Sequence, residues 1–245
     1  MILESSLPGG NPMAPNKGLC FNCLYSTEKT IREGNPDRIP FPARHWFDIH
    51  MAESDFLKKV LEEKKPRTTL EIGCGTGRLV ETCLENCPGI EKLIAVEGAK
   101  EMAEFAEKRF RKEKKVKIIK MFVGGRTPFT DNCFDLGINA MNIVGWQEDE
   151  KKWLEEMLRC CKTVVFSVYK KGFEKQRREM YRSRGHTSLG ETRQGHIILE
   201  GCSVCPAAVS KAYTRKEVEK LCKELTGKFR VRSICRLMFG CVLEK

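Results

Sequence analysis

The sequence predicts an α/β protein built on a doubly wound, mostly parallel sheet with helices on both faces. From residue 69 to residue 169, short aliphatic and β-branched runs alternate with amphipathic stretches at helical spacing, which is the pattern of βαβ units. Two further strand-like runs close the chain, and we expect them to pair as antiparallel strands. With 245 residues, of which 41% are hydrophobic, the chain is long enough for one domain with a substantial core.

The individual elements follow from this periodicity. The predicted strands are 69–72, 93–96, 116–123, 134–139 and 163–169, and the predicted helices between them are 77–86, 100–111 and 148–160. A further helix at 214–226 begins with a capping box, because Glu217 follows Thr214 at the third position. The closing strands are 229–236 and 238–243.

Three segments lie outside the alternation and define the predicted organisation. Residues 1–40 are rich in Pro, Gly and Asn and lack periodicity, so we expect an irregular N-terminal arm. Residues 41–245 form the predicted domain, in which residues 42–65 supply one or two cap helices. Residues 171–213, which we call the lid segment, are predicted to be an insertion after the fifth strand.

Composition narrows the class of protein. The chain carries 44 Lys and Arg against 33 Asp and Glu, a net charge of +11, which favours anionic partners without choosing among nucleic acid, metabolites and an acidic membrane surface. No apolar run approaches the roughly 18 residues of a membrane span. The N-terminus has neither a basic start nor an apolar stretch, so we expect a cytoplasmic protein without a secretory signal.

The 13 cysteines do not indicate a disulfide scaffold, because the count is odd and the chain is neither short nor predicted to be secreted. Several lie singly in apolar runs and are expected to be reduced. Two pairs, Cys20/Cys23 and Cys202/Cys205, have the spacing of zinc ligands. The long gap between the pairs is unlike compact zinc motifs, so we favour no metal, and a shared zinc site is the alternative.

The most informative segment runs from Leu70 to Val80, where a strand enters a glycine-rich turn that opens a helix. Gly73, Gly75 and Gly77 permit tight turning and close approach of a ligand to the backbone. A dinucleotide fingerprint requires glycine at position 78, which is Arg78. Glu71 precedes the turn, and its carboxylate would repel a pyrophosphate but suits a cationic amino group. A purely structural turn is the alternative for such a glycine triplet.

Three ordered motifs resemble the class I S-adenosylmethionine-dependent methyltransferase family. They are the run from Leu70 to Gly77, the strand end from Ile94 to Gly98, and the loop and strand from Thr127 to Asp135. The resemblance covers roughly residues 65–170 and implies a Rossmann-like methyltransferase fold with an antiparallel C-terminal strand. It also implies S-adenosyl-L-methionine as the cofactor.

The resemblance also implies roles for particular residues. The glycine turn with Cys74 would contact the methionyl part of the cofactor, and Glu97 would hold the ribose hydroxyls. Met102 would flank the adenine or serve only as helix core, and Asn139 and Ala140 would lie near the transferable methyl. The implied cofactor-binding set is Glu71, Gly73, Cys74, Gly75, Gly77, Glu97, Gly98, Met102, Asn139 and Ala140. Many relatives place an acid after the third strand to receive the adenine amino group, but this chain has Gly124, Gly125 and Arg126 there.

The acceptor is less constrained by the sequence. After the fourth strand the chain reads Asn-Ala-Met-Asn at 139–142 rather than the Asp/Asn-Pro-Pro-aromatic motif of relatives that methylate nucleobase amines. Members of this size often close the acceptor pocket with N-terminal helices and an insertion, and the expected substrate-binding residues are Arg44, Trp46, Asn142 and Tyr181. The other pocket candidates are His45, Trp146 and Tyr169. If a general base is needed, His50 and His186 are the candidates, because histidine titrates near pH 7.

Charge in the lid segment bears on the acceptor. The sequence there predicts a basic helical stretch at 171–194 and a small hairpin of 196–200 with 209–213. Between Arg159 and Arg193 there are ten cations and three anions, a net charge of +7. This charge indicates either a solvated helix face or an attraction for an anionic acceptor, for which Arg177, Arg178, Arg182 and Arg184 are the candidates. A second basic run at 108–120 is interpreted as a helix C-terminus, where cations are favourable.

We therefore predict a methyltransferase that acts on a small, anionic molecule. An RNA- or protein-directed methyltransferase is the first alternative, favoured by net charge but without a recognisable nucleic-acid-binding module. A non-catalytic binding protein on the same fold is the second. The sequence indicates neither the atom that is methylated nor the oligomeric state, because fold resemblance does not name an acceptor.

Overall fold

The computed structural model describes residues 41–183, 189–199 and 208–245. Its helices are α1 (Phe41–Lys64), α2 (Arg78–Asn86), α3 (Lys100–Phe110), α4 (Glu150–Cys160), α5 (Glu174–Ser183) and α6 (Arg215–Leu225). Its strands are β1 (Thr68–Ile72), β2 (Lys92–Glu97), β3 (Val116–Lys120), β4 (Phe134–Asn139), β5 (Cys161–Tyr169), β6 (Leu189–Glu191), β7 (Ile197–Leu199), β8 (Ala208–Ser210), β9 (Lys228–Ser233) and β10 (Met238–Glu244). The predicted arm, His186, Arg184 and both spaced cysteine pairs lie outside these residues.

Seven strands form the main sheet in the order β3-β2-β1-β4-β5-β10-β9. The first five are parallel, whereas β10 runs antiparallel to both β5 and β9. The order reverses between β1 and β4, so the carboxyl ends of β1, β2 and β4 meet at one edge, where doubly wound sheets bind ligands. The predicted fold class, including the antiparallel C-terminal strand, is confirmed.

Several boundaries differ from those predicted. The cap, predicted as one or two helices, is a single helix of 24 residues. Strand β3 ends at Lys120, before the predicted end at residue 123. In the lid segment the helix α5 ends at Ser183, and β6, β7 and β8 form a separate antiparallel sheet. The hairpin partners β7 and β8 were predicted, but β6 was not, because three residues with a central glycine carry no strand periodicity.

The core has three parts that together position the cavity described below. One hydrophobic cluster packs α4 and α6 against one face of the sheet, and a second packs α2 and the C-terminal half of α1 against the other. The third joins Trp46 and Ile49 of α1 to Met180 and Tyr181 of α5 and to the small sheet. Helix α1 therefore packs against both the main sheet and the lid segment. Among the described residues, no helix is long and apolar enough to cross a membrane.

Candidate functional site

The turn after β1 needs glycine for both conformation and space. Gly73, Gly75 and Gly77 have φ values of 79°, 57° and 88°, in the left-handed region that glycine enters without steric cost. A Cβ at Gly73 would overlap the Ile143 side chain, and one at Gly77 would overlap the ring of Phe110. The Gly73 N–H donates to the Val96 carbonyl at 2.8 Å, which fixes the turn against β2.

Glu97, the last residue of β2, holds this turn from the side. Its carboxylate accepts hydrogen bonds from the backbone N–H of Gly75 at 2.7 Å and of Ala99 at 2.8 Å. The residue is only 4% exposed. These bonds hold the carboxylate at the carboxyl end of β2, beside the glycine turn.

A cavity of about 710 Å³ opens at this edge of the sheet, within the range of roughly 300–1,000 Å³ that is typical of small-molecule sites. One part, which we call the glycine end, is lined by Glu71, Gly73, Cys74, Gly75, Glu97, Gly98 and Met102. The segment after β3, from Met121 to Arg126, lines the cavity beside it. The other part, which we call the aromatic end, is lined by Trp46, His50, Trp146, Tyr169 and Tyr181.

The aromatic end is a packed set of rings from distant parts of the chain. Tyr181 lies edge-on to both tryptophans, with ring centroids 6.4 Å from Trp46 and 6.0 Å from Trp146, a favourable aromatic geometry. The Trp46 indole N–H donates to the Met180 carbonyl at 3.3 Å, which ties α1 to α5. The Tyr181 hydroxyl lies 2.7 Å from Ser210 Oγ of β8. Trp46 and Tyr181, which the sequence predicted as substrate-binding residues, thus both line the cavity.

Five of the predicted site and pocket residues in the described chain do not line this cavity: Arg44, His45, Gly77, Asn139 and Asn142. Gly77 is needed instead where α2 packs on Phe110, and Arg44 is exposed on α1. Asn139 is fully buried, donating to the Ile72 carbonyl at 3.0 Å and accepting from the Trp153 indole at 2.7 Å. Asn142 is also fully buried and lies in a turn with a φ of 62°. Its side-chain amide donates to the Lys211 carbonyl at 3.2 Å and accepts from the Tyr169 backbone N–H at 3.1 Å. The predicted ligand roles of the two asparagines are corrected to structural ones, because neighbouring groups satisfy their amides.

A polar network at the cavity wall was missed by the sequence analysis. The buried Glu53 of α1 pairs with Arg78 Nη2 at 2.6 Å and accepts hydrogen bonds from Met141 N and the Ser167 hydroxyl. Arg78, which lines the cavity, also donates to the carbonyl of His50 at 2.9 Å. The network therefore joins the cap helix to the start of α2 and to the ends of β4 and β5. The sequence could not predict this network, because an acidic residue in an amphipathic helix does not indicate which distant residue it pairs with.

Charged groups at the cavity rim are of mixed sign. Arg126, Lys152 and Arg159 line it together with Glu148, Asp149, Glu155 and Glu156. Burial raises the pKa of Glu156, but hydrogen bonds from Arg159 and Thr127 outweigh it and lower that pKa to about 2. Glu156 is therefore ionised at neutral pH and neutralises Arg159, so the rim has no strong preference for one sign of ligand.

The lid arginines lie in different environments. Arg177 is fully buried and Arg178 pairs with Glu191, whereas Arg182 is exposed. The interpretation of the lid charge as a solvated helix face therefore does not hold for Arg177, and attraction of an anionic acceptor stays a prediction. Arginine is seldom fully buried, so the burial of Arg177 could not be predicted from the sequence.

The cysteines in the described part of the chain are free thiols, and most are buried. Burial raises the pKa of Cys160 to about 11, and it raises the pKa of Cys83 strongly, so both are protonated at neutral pH. No group of three or more metal-ligating side chains occurs among the described residues. The two spaced pairs are not among them, and the absence of a metal stays a prediction.

Comparisons with known proteins agree with the fold and the glycine turn. Residues 69–163 match the family model described as a methyltransferase domain. A solved S-adenosylmethionine-dependent methyltransferase from Aquifex aeolicus is 19% identical, with a TM-score of 0.53 over 88% of this chain and 96% of that one. One from Clostridium acetobutylicum ATCC 824 is 14% identical, with a TM-score of 0.57 over 92% of this chain and 99% of that one. A DhpI–SAH complex is 13% identical, with a TM-score of 0.53 over 93% and 97%. A search of curated protein sequences finds no significant match.

The strand order, the glycine turn and the acid that ends β2 define a Rossmann-like methyltransferase fold. Residues 69–163, which contain the glycine turn and Glu97, match a methyltransferase domain, in agreement with the predicted resemblance to class I S-adenosylmethionine-dependent methyltransferases. The predicted enzyme class and cofactor are thereby confirmed.

Proposed function

We propose that the protein transfers a methyl group from S-adenosylmethionine to a small molecule bound at the aromatic end of the cavity. The observation that carries this proposal is that one cavity is lined both by the glycine turn with Glu97 and by the aromatic rings of α1 and α5. A methyl donor and an acceptor could therefore lie side by side without opening the fold.

The residues at the glycine end fit the cofactor. We propose that Glu97, a buried carboxylate at the end of β2 that lines the cavity, accepts hydrogen bonds from the two ribose hydroxyls. The turn at Gly73–Gly75 lets the methionyl part approach the backbone, and Gly98 with Met102 would flank the adenine. Ala140 lines the wall where we place the transferable methyl. When bound, the cofactor supplies an electrophilic methyl group on a sulfonium, and we propose that Glu71, which is buried in the same wall, binds the cationic amino group of the cofactor.

Methyl transfer is an in-line displacement, so the chain's main contribution is to align the acceptor atom with the methyl. The rings of Trp46, Trp146 and Tyr181 would hold a flat or apolar acceptor and exclude water. His50 lines the cavity and is the candidate base for an acceptor that must lose a proton. His186, the other candidate, is not among the described residues.

The anionic character of the acceptor stays part of the proposal, although the exposed lid charge supports it less than the sequence indicated. Arg178 is paired with Glu191. Arg182 is exposed and makes no ion pair within the described chain. Surface steering would therefore depend on few groups, and the buried arginine considered in the next subsection is the stronger source of a preference for anions.

An RNA acceptor is the second candidate function, and one observation favours it. The end of α3, the edge strand β3 and the loop between them carry six cations without an ion pair in the described chain: Lys108, Arg111, Lys112, Lys114, Lys115 and Lys117. Such a surface suits a phosphate backbone. It lies toward the amino end of β3, away from the edge of the sheet that bears the cavity, and it also protects an edge strand from pairing with other chains.

Two measurements test the proposed function. Calorimetry should show S-adenosylhomocysteine binding with a stoichiometry near one and no binding of NAD, which the glycine spacing does not fit. Methyl-labelled cofactor should then transfer label to a small-metabolite extract rather than to bulk RNA or protein. Absence of cofactor binding would reject the enzyme assignment, and label confined to RNA would select the second candidate.

A further inference from the structure

Arg177 is a buried cation whose charge no carboxylate of the described chain neutralises. The side chain is fully buried on α5. Its guanidinium donates to the carbonyl of Gly195 at 3.1 Å, and to the carbonyl and Oγ of Ser210 at 2.5 and 2.9 Å. Its Nε–H has no hydrogen-bond partner among the residues that the structure describes. Arg177 makes no ion pair within the described chain, and no further contact of it remains beyond these and one ring.

A buried charge without a counter-charge is unfavourable, because carbonyl dipoles replace only part of the lost hydration. The other cations nearby are compensated, since Lys171 pairs with Glu217 and Lys211 pairs with Glu150. The local excess of positive charge acts on His196: burial lowers the pKa of this histidine, and Lys171, Arg177 and Lys211 lower it further. Of these three cations, Arg177 alone lacks an acidic partner in the described chain.

The uncompensated charge lies directly behind the aromatic end of the cavity. The Arg177 guanidinium carbon is 4.9 Å from the centroid of the Tyr169 ring, and Tyr169 lines the cavity. The guanidinium also shares Ser210 Oγ with the hydroxyl of Tyr181, which lines the cavity as well. One layer of side chains therefore separates the charge from a bound ligand, and little water screens the interaction.

We propose that Arg177 makes the aromatic end selective for an acceptor that carries a carboxylate, by supplying a positive potential through the wall formed by Tyr169 and Tyr181. This inference rests on the proposed function, since it concerns the acceptor end of the same cavity. Arg177 is a positioning residue here, because it does not touch the ligand. An acceptor with a ring and a carboxylate fits both features, the ring against Trp46 and Trp146 and the negative charge toward the tyrosines.

A purely structural clamp is the competing explanation, because Arg177 also ties α5 to β8 and to the turn at Gly195. Substitutions can separate the effect of the Arg177 charge from the effect of its hydrogen bonds to β8 and Gly195. Arg177→Lys keeps the positive charge but loses the forked bonds to two carbonyls, whereas Arg177→Met keeps the volume and loses the charge. Arg182→Met, which removes an exposed cation of the same helix, is the matched control.

The test uses benzoate and benzamide as probes, which share a ring and differ in charge. Each is titrated into the protein saturated with S-adenosylhomocysteine, with the fluorescence of the three tryptophans, all of which line the cavity, as the signal and thermal melting as the control for folding. For the wild type we expect a benzoate Kd at least tenfold below that of benzamide. This preference should persist in 1 M NaCl, because a buried charge is screened less than surface charges.

Arg177→Lys and Arg182→Met should keep most of the preference, and Arg177→Met should reduce it to less than threefold. Loss of the preference in both Arg177 variants alike would assign the residue to the clamp and overturn the proposal. Equal or undetectable binding of the two probes by the wild type, or loss of its preference at high salt, would overturn it too and does not require the Met variant to fold. Failure to bind S-adenosylhomocysteine would instead reject the proposed function, so the two failures are distinguishable.

Discussion

The two ends of the cavity are built in different ways. The glycine end takes its walls from residues that directly follow β1 and β2, and backbone N–H groups bonded to Glu97 hold it in place. The aromatic end collects single side chains from α1, from the turn after β4, from β5 and from α5, and ring contacts hold them together. The first is a local motif that depends on backbone conformation, whereas the second is a product of tertiary packing.

This difference predicts different responses to substitution. At the glycine end, one change of conformation or charge should remove function, because few groups define the turn. At the aromatic end, contacts are shared among several rings, so a single change should cost less. The predictions below test this ranking, beginning with the largest effect.

The first prediction concerns Glu97→Ala. The substitution removes the acceptor of two backbone N–H groups and the proposed partner of the ribose. Hydrogen bonds to a charged group contribute about 1.5–3 kcal/mol each, so we expect the affinity for S-adenosylhomocysteine to fall by about 100-fold, measured by calorimetry. Glu91→Ala, at an exposed glutamate just before β2, is the matched control and should leave the affinity unchanged. A loss below fivefold for Glu97→Ala would mean that the turn does not depend on this carboxylate.

The second prediction concerns Gly77→Ala. The substitution places a Cβ at a φ of 88° and against the ring of Phe110, and strain together with overpacking should lower the free energy of unfolding by about 2 kcal/mol. Gly89→Ala is the control, because a Cβ there meets nothing within 4 Å and should change stability by less than about 0.5 kcal/mol. Denaturant titration measures both. Equal stability of the two variants would show that α2 can move away from Phe110.

The same difference between the two ends explains which parts of the site could be predicted from the sequence. The glycine turn and Glu97 could be located because each lies beside its own strand, and strand periodicity places strand ends at a common edge. Trp46 and Tyr181 were named as pocket candidates, but their mutual contact was not predictable, since it spans the cap helix and the lid segment. Asn139 and Asn142 were misassigned because a strand-end position does not show whether neighbouring groups already satisfy an amide. Arg177 was misread because charge in a sequence does not show burial.

The third prediction concerns Tyr181→Phe at the aromatic end. Loss of the hydroxyl that contacts Ser210 should lower the free energy of unfolding by about 1 kcal/mol, while the affinity for S-adenosylhomocysteine stays within twofold of the wild type. Tyr213→Phe is the control, because the buried hydroxyl of Tyr213 has no hydrogen-bond partner in the described part of the chain. Its removal should be neutral or slightly stabilising, since a desolvated polar group without a partner is unfavourable. Should Tyr181→Phe abolish cofactor binding, the two ends would not be independent.

The smallest effect is expected for the ion pair on the outside of the lid segment. Arg178 and Glu191 keep about a third of their side-chain surface exposed, 29% and 36%, so solvent screens their attraction. A double-mutant cycle of Arg178→Gln and Glu191→Gln should give a coupling of about 0.5 kcal/mol in the free energy of unfolding, and 0.5 M NaCl should reduce it. Cofactor affinity should not change in either variant, because the pair lies outside the cavity lining.

Arg177 is one residue away and carries the same charge, yet its substitution should alter ligand preference inside the cavity. A coupling above 2 kcal/mol for the exposed pair, or a change in cofactor affinity, would show that the surface charge of the lid segment shapes the site and that burial does not separate the two arginines.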